Sequence, residues 1–214
     1  MTIHVSEAPM TFYHIARNAG SAISGYLLHH YSSAEWVHGT KYKRARHWTP
    51  WEANTFHFNP CKKDPGQTVC VVRNPFDRLV SQYYFLKAHP HMRDYKQREF
   101  DTSSFENWIY NGVWGYAYWP LQMHTADHCD YVIRYENLQE DFQHAMMSIF
   151  GEAHDLNLEN EHALYSDEER LHYTEYYTDE MVDFVTNYFN KDLENPHWKV
   201  IQMDLDALGY SFGD

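Results

Sequence analysis

Two arginines in this chain stand where an anion could be held. Arg17 lies in "FYHIARNAGSAISGYLL", Phe12–Leu28, where an apolar run meets a short polar loop and then a helical apolar pattern. Arg73 ends "TVCVVR" and leads into "NPFDRLVSQYY", again a strand pattern meeting a helix. Strand, tight loop and helix N-terminus together turn backbone N–H groups and the positive end of a helix dipole toward one spot, a ready cradle for a phosphate-like group. An arginine fork with a hydroxyl nearby is a second such receptor, and Ser81, eight residues after Arg73, supplies one. Phe76, Leu79, Val80, Tyr83 and Tyr84 share one apolar helix stripe, and Ser81 falls off it, which leaves its hydroxyl for a partner. Taken alone, Arg73 is equally well read as a helix cap or as a partner for Asp77. The two segments together describe receptors for a ligand with two anionic ends.

The first loop fails the commonest phosphate-loop pattern, GxxxxGK[ST]: no Gly opens it and no Lys-Ser/Thr pair closes it. The strand that would end in a magnesium-binding Asp ends in Arg73 instead. Both features point to anion binding without a metal.

The elements that must position these arginines are legible around them. Thr11–Ile15 reads as a short buried strand and Ala19–Tyr31 as a helix. Thr68–Arg73, β-branched and apolar, reads as a central parallel strand. Asn74-Pro75 starts the next helix with Asn74 as its cap. Ser104–Val113 and Leu138–Phe150 read as further helices, with the strand Tyr131–Tyr135 between them. Asp179–Leu193 reads as an amphipathic helix capped by Thr178. Thr49, Pro50 and Glu52 mark another helix start, and Phe58–Gln67 a surface loop. Strands alternating with helices predict an α/β chain whose sheet is mostly parallel, with ligands at the carboxyl ends of the strands.

Charge agrees with a local anionic ligand. The whole chain of 214 residues carries −13, yet Lys41–Arg98 holds twelve Lys/Arg against four Asp/Glu, a net +8, while the remainder is −21. A basic segment in an acidic chain suits a small multiply charged ligand in a pocket, and the acidic exterior argues against a nucleic-acid polymer. The length predicts a single domain over 1–214. Apolar runs fall short of a membrane span and the N-terminus lacks a signal-peptide pattern, so no membrane partner and a soluble, intracellular location are expected. Cys61, Cys70 and Cys129, odd in number and with no CxxC pair, read as reduced thiols.

With these motifs in view, the chain resembles the sulfotransferases that use 3′-phosphoadenosine 5′-phosphosulfate (PAPS). "YHIARNAGSAI" is similar to that family's 5′-phosphosulfate loop, and "VVRNPFDRLVSQYY" to its 3′-phosphate motif, R-N-P-x-D-R-x-x-S-x-Y. "DYVIRYENLQEDF" and the C-terminal "YTEYYTDEMVDFVTNYFNKDLE" resemble the compact, Golgi-type carbohydrate branch. The resemblance implies a P-loop-like three-layer fold, with helices flanking the mostly parallel central sheet. It implies that Arg17 and the amides of Asn18, Ala19, Gly20, Ser21 and Ala22 hold the 5′-phosphosulfate, while Arg73 and Ser81 hold the 3′-phosphate. The sequence departs from the family loop at Ala16, where Pro is usual, at Arg17, where Lys is usual, and at Ser21-Ala22 in place of a Thr-Ser pair.

The implied reaction moves a sulfuryl group from PAPS to an acceptor hydroxyl, on a carbohydrate by the branch resemblance, and releases 3′,5′-ADP by metal-independent in-line displacement. Arg17 is then a catalytic cation and His47 the base, beside Lys41, Lys43, Arg44 and Arg46; a histidine titrating near neutrality suits that task. Glu52 and His57 are the reserve bases. Most aromatics in "WGYAYW" and "LHYTEYYT" read as core, with Trp114, Tyr116 and Trp119 as candidates for the acceptor cleft. Three other readings stay open. One is a non-catalytic nucleotide-binding module of the same fold, and another a P-loop kinase-like phosphotransferase. The third is a metal site built from His124, Asp127, His128 and Cys129, an incomplete ligand set.

Overall fold

A computed structural model describes residues 2–37, 65–89, 94–95, 98–99, 102–111, 121–152, 155–156, 171–188 and 200–214. Its elements run β1 (Ile3–Val5), β2 (Met10–Tyr13), α1 (Gly20–His30), β3 (Ala34–Trp36), β4 (Gln67–Val72), α2 (Pro75–Ala88), β5 (Asp94–Tyr95), β6 (Arg98–Glu99), α3 (Phe105–Tyr110), α4 (Met123–Ala126), β7 (Tyr131–Arg134), α5 (Leu138–Phe150), α6 (Asp179–Thr186) and α7 (Val200–Leu208). Contacts divide the chain into two units, Met1–Arg73 with Gln122–Glu159, and Asn74–Leu121 with Asn160–Asp214.

The first unit is built on a five-stranded sheet in the order β3-β1-β2-β4-β7. Strands β2, β4 and β7 run parallel, whereas β1 pairs antiparallel with both β2 and β3. The sheet is therefore mixed, not mostly parallel as the alternation of elements predicted. The cause is local: the turn over residues 6–9 folds Ile3–Val5 back on Met10–Tyr13, and a hairpin can only pair antiparallel. The backbone N–H groups of Ser6 and Glu7 both donate to Ser33 Oγ, at 3.1 and 3.0 Å, which ties that turn to the approach to β3.

Register explains how the strands make a core. Trp36, Ile3, Phe12, Val69 and Tyr131 form one row across all five strands, flanked by Ala34–Val5–Met10 on one side and Val71–Ile133 on the other. Side chains in register share a face, and this face packs with Ile23, Tyr26 and Leu27 of α1 and Phe142, Ala145 and Met146 of α5. The opposite face carries a polar row of His4, Thr11 and Thr68. Thr68 Oγ1 donates to Asp130 Oδ2 at 2.8 Å and accepts from the Asp130 N–H at 3.0 Å, fixing β7 beside β4. Gly66 is needed at the entry to β4: its φ is 62° and a Cβ would stand 1.8 Å from the Pro9 carbonyl oxygen.

The second unit centres on α2. Asn74 caps it as the sequence predicted, accepting from the Phe76 N–H at 3.0 Å, while its Nδ2 donates to the Ser211 carbonyl at 2.9 Å. Phe76, Tyr83, Phe105, Tyr177 and Phe212 interlock edge to face and Trp108 lies tilted against Phe105, so these described aromatics pack on one another. Tyr173 OH donates to the Asp214 carbonyl at 2.9 Å and accepts from the Gly213 N–H at 2.8 Å, holding the chain's last residues. Leu138–Phe150 has its predicted bounds; the helix predicted over Ser104–Val113 spans Phe105–Tyr110, and that predicted over Asp179–Leu193 ends at Thr186, with Asn187 as its C-cap. Among the described residues no helix is long and apolar enough to cross a membrane.

Candidate anion-binding site

The first unit brings the Arg17 loop and the end of β4 together. Strands β2 and β4 are parallel neighbours, so the chain leaves both at the same edge of the sheet. After β2, residues 14–19 turn sharply into α1, and the left-handed backbone falls on Arg17 (φ 71°) and Ala19 (φ 55°), neither of them glycine. Such conformations cost a non-glycine residue about 1–2 kcal/mol each and persist where neighbours impose them. A left-handed Ala19 leading into a right-handed helix turns successive N–H groups to one side, the geometry of an anion nest. No side chain caps α1 and no carboxylate stands in its first turn.

Glycine 20 is present for space. A Cβ there would lie 2.1 Å from the imidazole of His14, which packs under the loop and stacks on Phe12 with ring centroids 6.3 Å apart. Asn18 and Gly20 are buried, Arg17, Ala19 and Ala22 are half-buried, and Ser21 is exposed.

A buried polar network fixes the loop against β4. Gln122 is fully buried and grips the Arg73 backbone at both ends: Oε1 accepts from the Arg73 N–H at 2.9 Å, and Nε2 donates to the Arg73 carbonyl at 2.8 Å. That double contact settles which end of the Gln122 amide is oxygen, and so which end of Asn18 faces it. Asn18 Nδ2 donates to Gln122 Oε1 at 2.6 Å and to the Val71 carbonyl at 2.8 Å. Arg73 closes the circuit, its Nη1 donating to the Arg17 carbonyl at 3.1 Å while the guanidinium lies 3.8 Å over the Tyr135 ring. Stacking on an aromatic face pre-orients the fork and suits arginine far better than lysine.

Of the residues singled out from sequence, Arg17, Asn18, Ala19, Gly20, Ser21, Ala22 and Arg73 gather at this edge of the first unit. Ser81 lies in the second unit, on α2, and is 3% exposed with contacts of its own. The stripe reading understated that helix: Arg78 and Ser81 are buried along with Phe76, Leu79, Val80, Tyr83 and Leu86, so α2 is enclosed well beyond one face. His47, Glu52, His57 and the basic cluster Lys41, Lys43, Arg44 and Arg46 lie outside the described residues. So do Trp114, Tyr116, Trp119, the helix start at Thr49 and all of the 58–67 loop before Pro65. Among the described residues no group of three or more His, Cys, Asp or Glu is placed to hold a metal. Cys129 is hydrogen-bonded to Cys70, and that bond together with burial pushes the Cys70 thiol well above its ordinary value. Gln122 and Tyr135 carried no local signal in the sequence; both act through tertiary placement.

Residues 55–152 match the family model described as a sulfotransferase domain. The match supports the sulfotransferase family. It spans β4, Arg73, α2 with Ser81, Gln122 and β7, and it begins after the Arg17 loop. It supports a sulfotransfer reaction in general terms. No curated protein and no solved structure matches the chain.

Proposed function

We propose that the protein transfers a sulfuryl group from PAPS to an acceptor hydroxyl on a carbohydrate. The observation that carries the proposal is the meeting of Arg73 with the Arg17 loop at one sheet edge, within a chain whose 55–152 stretch matches a sulfotransferase domain. In this reading Arg17 and the amides of Asn18 through Ala22 take the 5′-phosphosulfate, and Arg73 takes the 3′-phosphate, with Ser81 as the further hydroxyl assigned by the family resemblance. The uncapped N-terminus of α1 and the absence of a first-turn carboxylate favour negative charge at the loop.

The acceptor oxygen attacks sulfur and its proton passes to His47. The bond from sulfur to the bridging phosphate oxygen breaks, and the electron pair leaves on 3′,5′-ADP. The catalytic help is positional and electrostatic, cations and N–H groups meeting the charge that builds on the leaving phosphate. Arg17 in place of the family's Lys spreads that cationic charge over a planar fork. The test is transfer of radiolabelled sulfate from PAPS to a panel of carbohydrate acceptors, with and without a chelator. Labelled product formed equally in both supports the proposal. Binding of 3′,5′-ADP with no labelled product from any acceptor would replace it with a non-catalytic nucleotide module.

A further inference from the structure

We infer that Gln122 is a positioning residue that couples the two phosphate anchors of the site, so that each end of a nucleotide bisphosphate prepares the receptor for the other. The inference rests on the donor reading above and adds a residue that the reading itself does not need.

The geometry is a closed ring. The Arg17 carbonyl accepts from the Arg73 side chain, the Arg73 backbone is held by Gln122, Gln122 accepts from Asn18, and Asn18 is bonded through the peptide to Arg17. Gln122 is itself fixed from behind as the residue that precedes α4, its carbonyl accepting from the N–H groups of Thr125 and Ala126 in that helix, both at 3.0 Å. Asn18, Arg73 and Gln122 are 1, 3 and 0% exposed, so water cannot replace a broken member. A buried polar network of this kind moves as a unit, because opening any one bond leaves a desolvated group unpaired. Displacing the loop drags Asn18 off Gln122, and displacing Gln122 shifts the main chain that aims Arg73. An anion that orders the loop therefore orders Arg73 as well.

The experiment compares adenosine 3′,5′-bisphosphate with adenosine 5′-monophosphate and adenosine 3′-monophosphate by titration calorimetry, on the wild-type chain and on Gln122→Met. Methionine keeps the volume and removes every side-chain hydrogen bond. The bisphosphate's advantage over each monophosphate should shrink about tenfold in the variant, the size expected for groups sharing one network. Affinity for the monophosphates themselves should move less than about threefold, since each uses one anchor. A general loosening of the fold weakens all three ligands by one factor, and that result, or an unchanged advantage, overturns the coupling while leaving the donor reading intact. A wild-type chain that binds none of the three overturns both. Hydrogen exchange on the wild-type chain needs no variant: saturating adenosine 5′-monophosphate should slow exchange of the Arg73 amide. Exchange there that is unmoved by the bound monophosphate also overturns the coupling.

Discussion

Replacing Asn18 separates a hydrogen-bonding role from a space-filling one. Alanine removes two donated bonds, to Val71 and to Gln122, each worth about 1 kcal/mol net. It also removes Oδ1, a buried acceptor with no partner, which returns about 1 kcal/mol. The expected cost of Asn18→Ala is about 1–2 kcal/mol, with the small void included. Asn18→Asp keeps the shape yet sets a carboxylate against two oxygen acceptors in a site that is 1% exposed. An uncompensated buried charge costs about 3–5 kcal/mol at neutral pH, so the isosteric change should be the worse one. Burial and the two acceptors raise the folded-state pKa of the new carboxyl above its unfolded value. Its protonated form is therefore favoured by folding, and the deficit should shrink as pH falls through the raised value. Urea denaturation of the three proteins at matched salt, at neutral and at mildly acidic pH, reads all of this. An Asn18→Asp variant as stable as wild type at neutral pH would refute the buried network as drawn.

The glycines of α1 should behave oppositely. Gly25→Ala, whose Cβ meets nothing within 4 Å, should stabilise by about 0.5–1 kcal/mol in thermal melts, whereas Gly20→Ala, 2.1 Å from His14, should destabilise and weaken 3′,5′-ADP binding. Arg73→Lys should lose roughly tenfold in 3′,5′-ADP affinity by calorimetry, as lysine cannot both stack on Tyr135 and reach the loop as a fork. His47→Ala should abolish sulfate transfer and leave calorimetric 3′,5′-ADP binding unchanged; undiminished turnover removes His47 from the mechanism. The Cys129 hydrogen bond and burial raise the Cys70 thiol above its ordinary 9.0, and burial with the Tyr26 phenol raises Tyr31 above 10.0. Both groups favour folding while protonated, so stability should be full below those ordinary values and decline as pH rises past them, first through Cys70. Cys70→Ala should lessen that first decline in denaturation measured across the alkaline range.

The parts that sequence displayed were those with strong local rules. "TVCVVRNP" states a buried strand, then a capped helix with proline at its first position, and the structure has both, with Asn74 as cap. Strands β1 and β3 were invisible because three residues such as Ala34, Glu35 and Trp36 carry no periodicity, and β1, antiparallel to both its neighbours, makes the sheet mixed. The polar turn from strand to helix was legible as a loop, but where its unusual backbone falls was not. The left-handed turns sit on Arg17 and Ala19, and Gly20 makes room for His14. Gln122 was silent, since a lone glutamine says nothing until tertiary structure lays it along the Arg73 backbone. Ser81 showed its place off the stripe, while its burial depends on what surrounds α2, which no helical period encodes.

The most direct measurement is a crystal structure grown with adenosine 3′,5′-bisphosphate. The 5′-phosphate should lie on the amides of Gly20, Ser21 and Ala22 beside Arg17, with the Arg73 guanidinium on the 3′-phosphate. A nucleotide bound elsewhere, or Arg73 turned from it while the loop stands empty, would contradict the assignment.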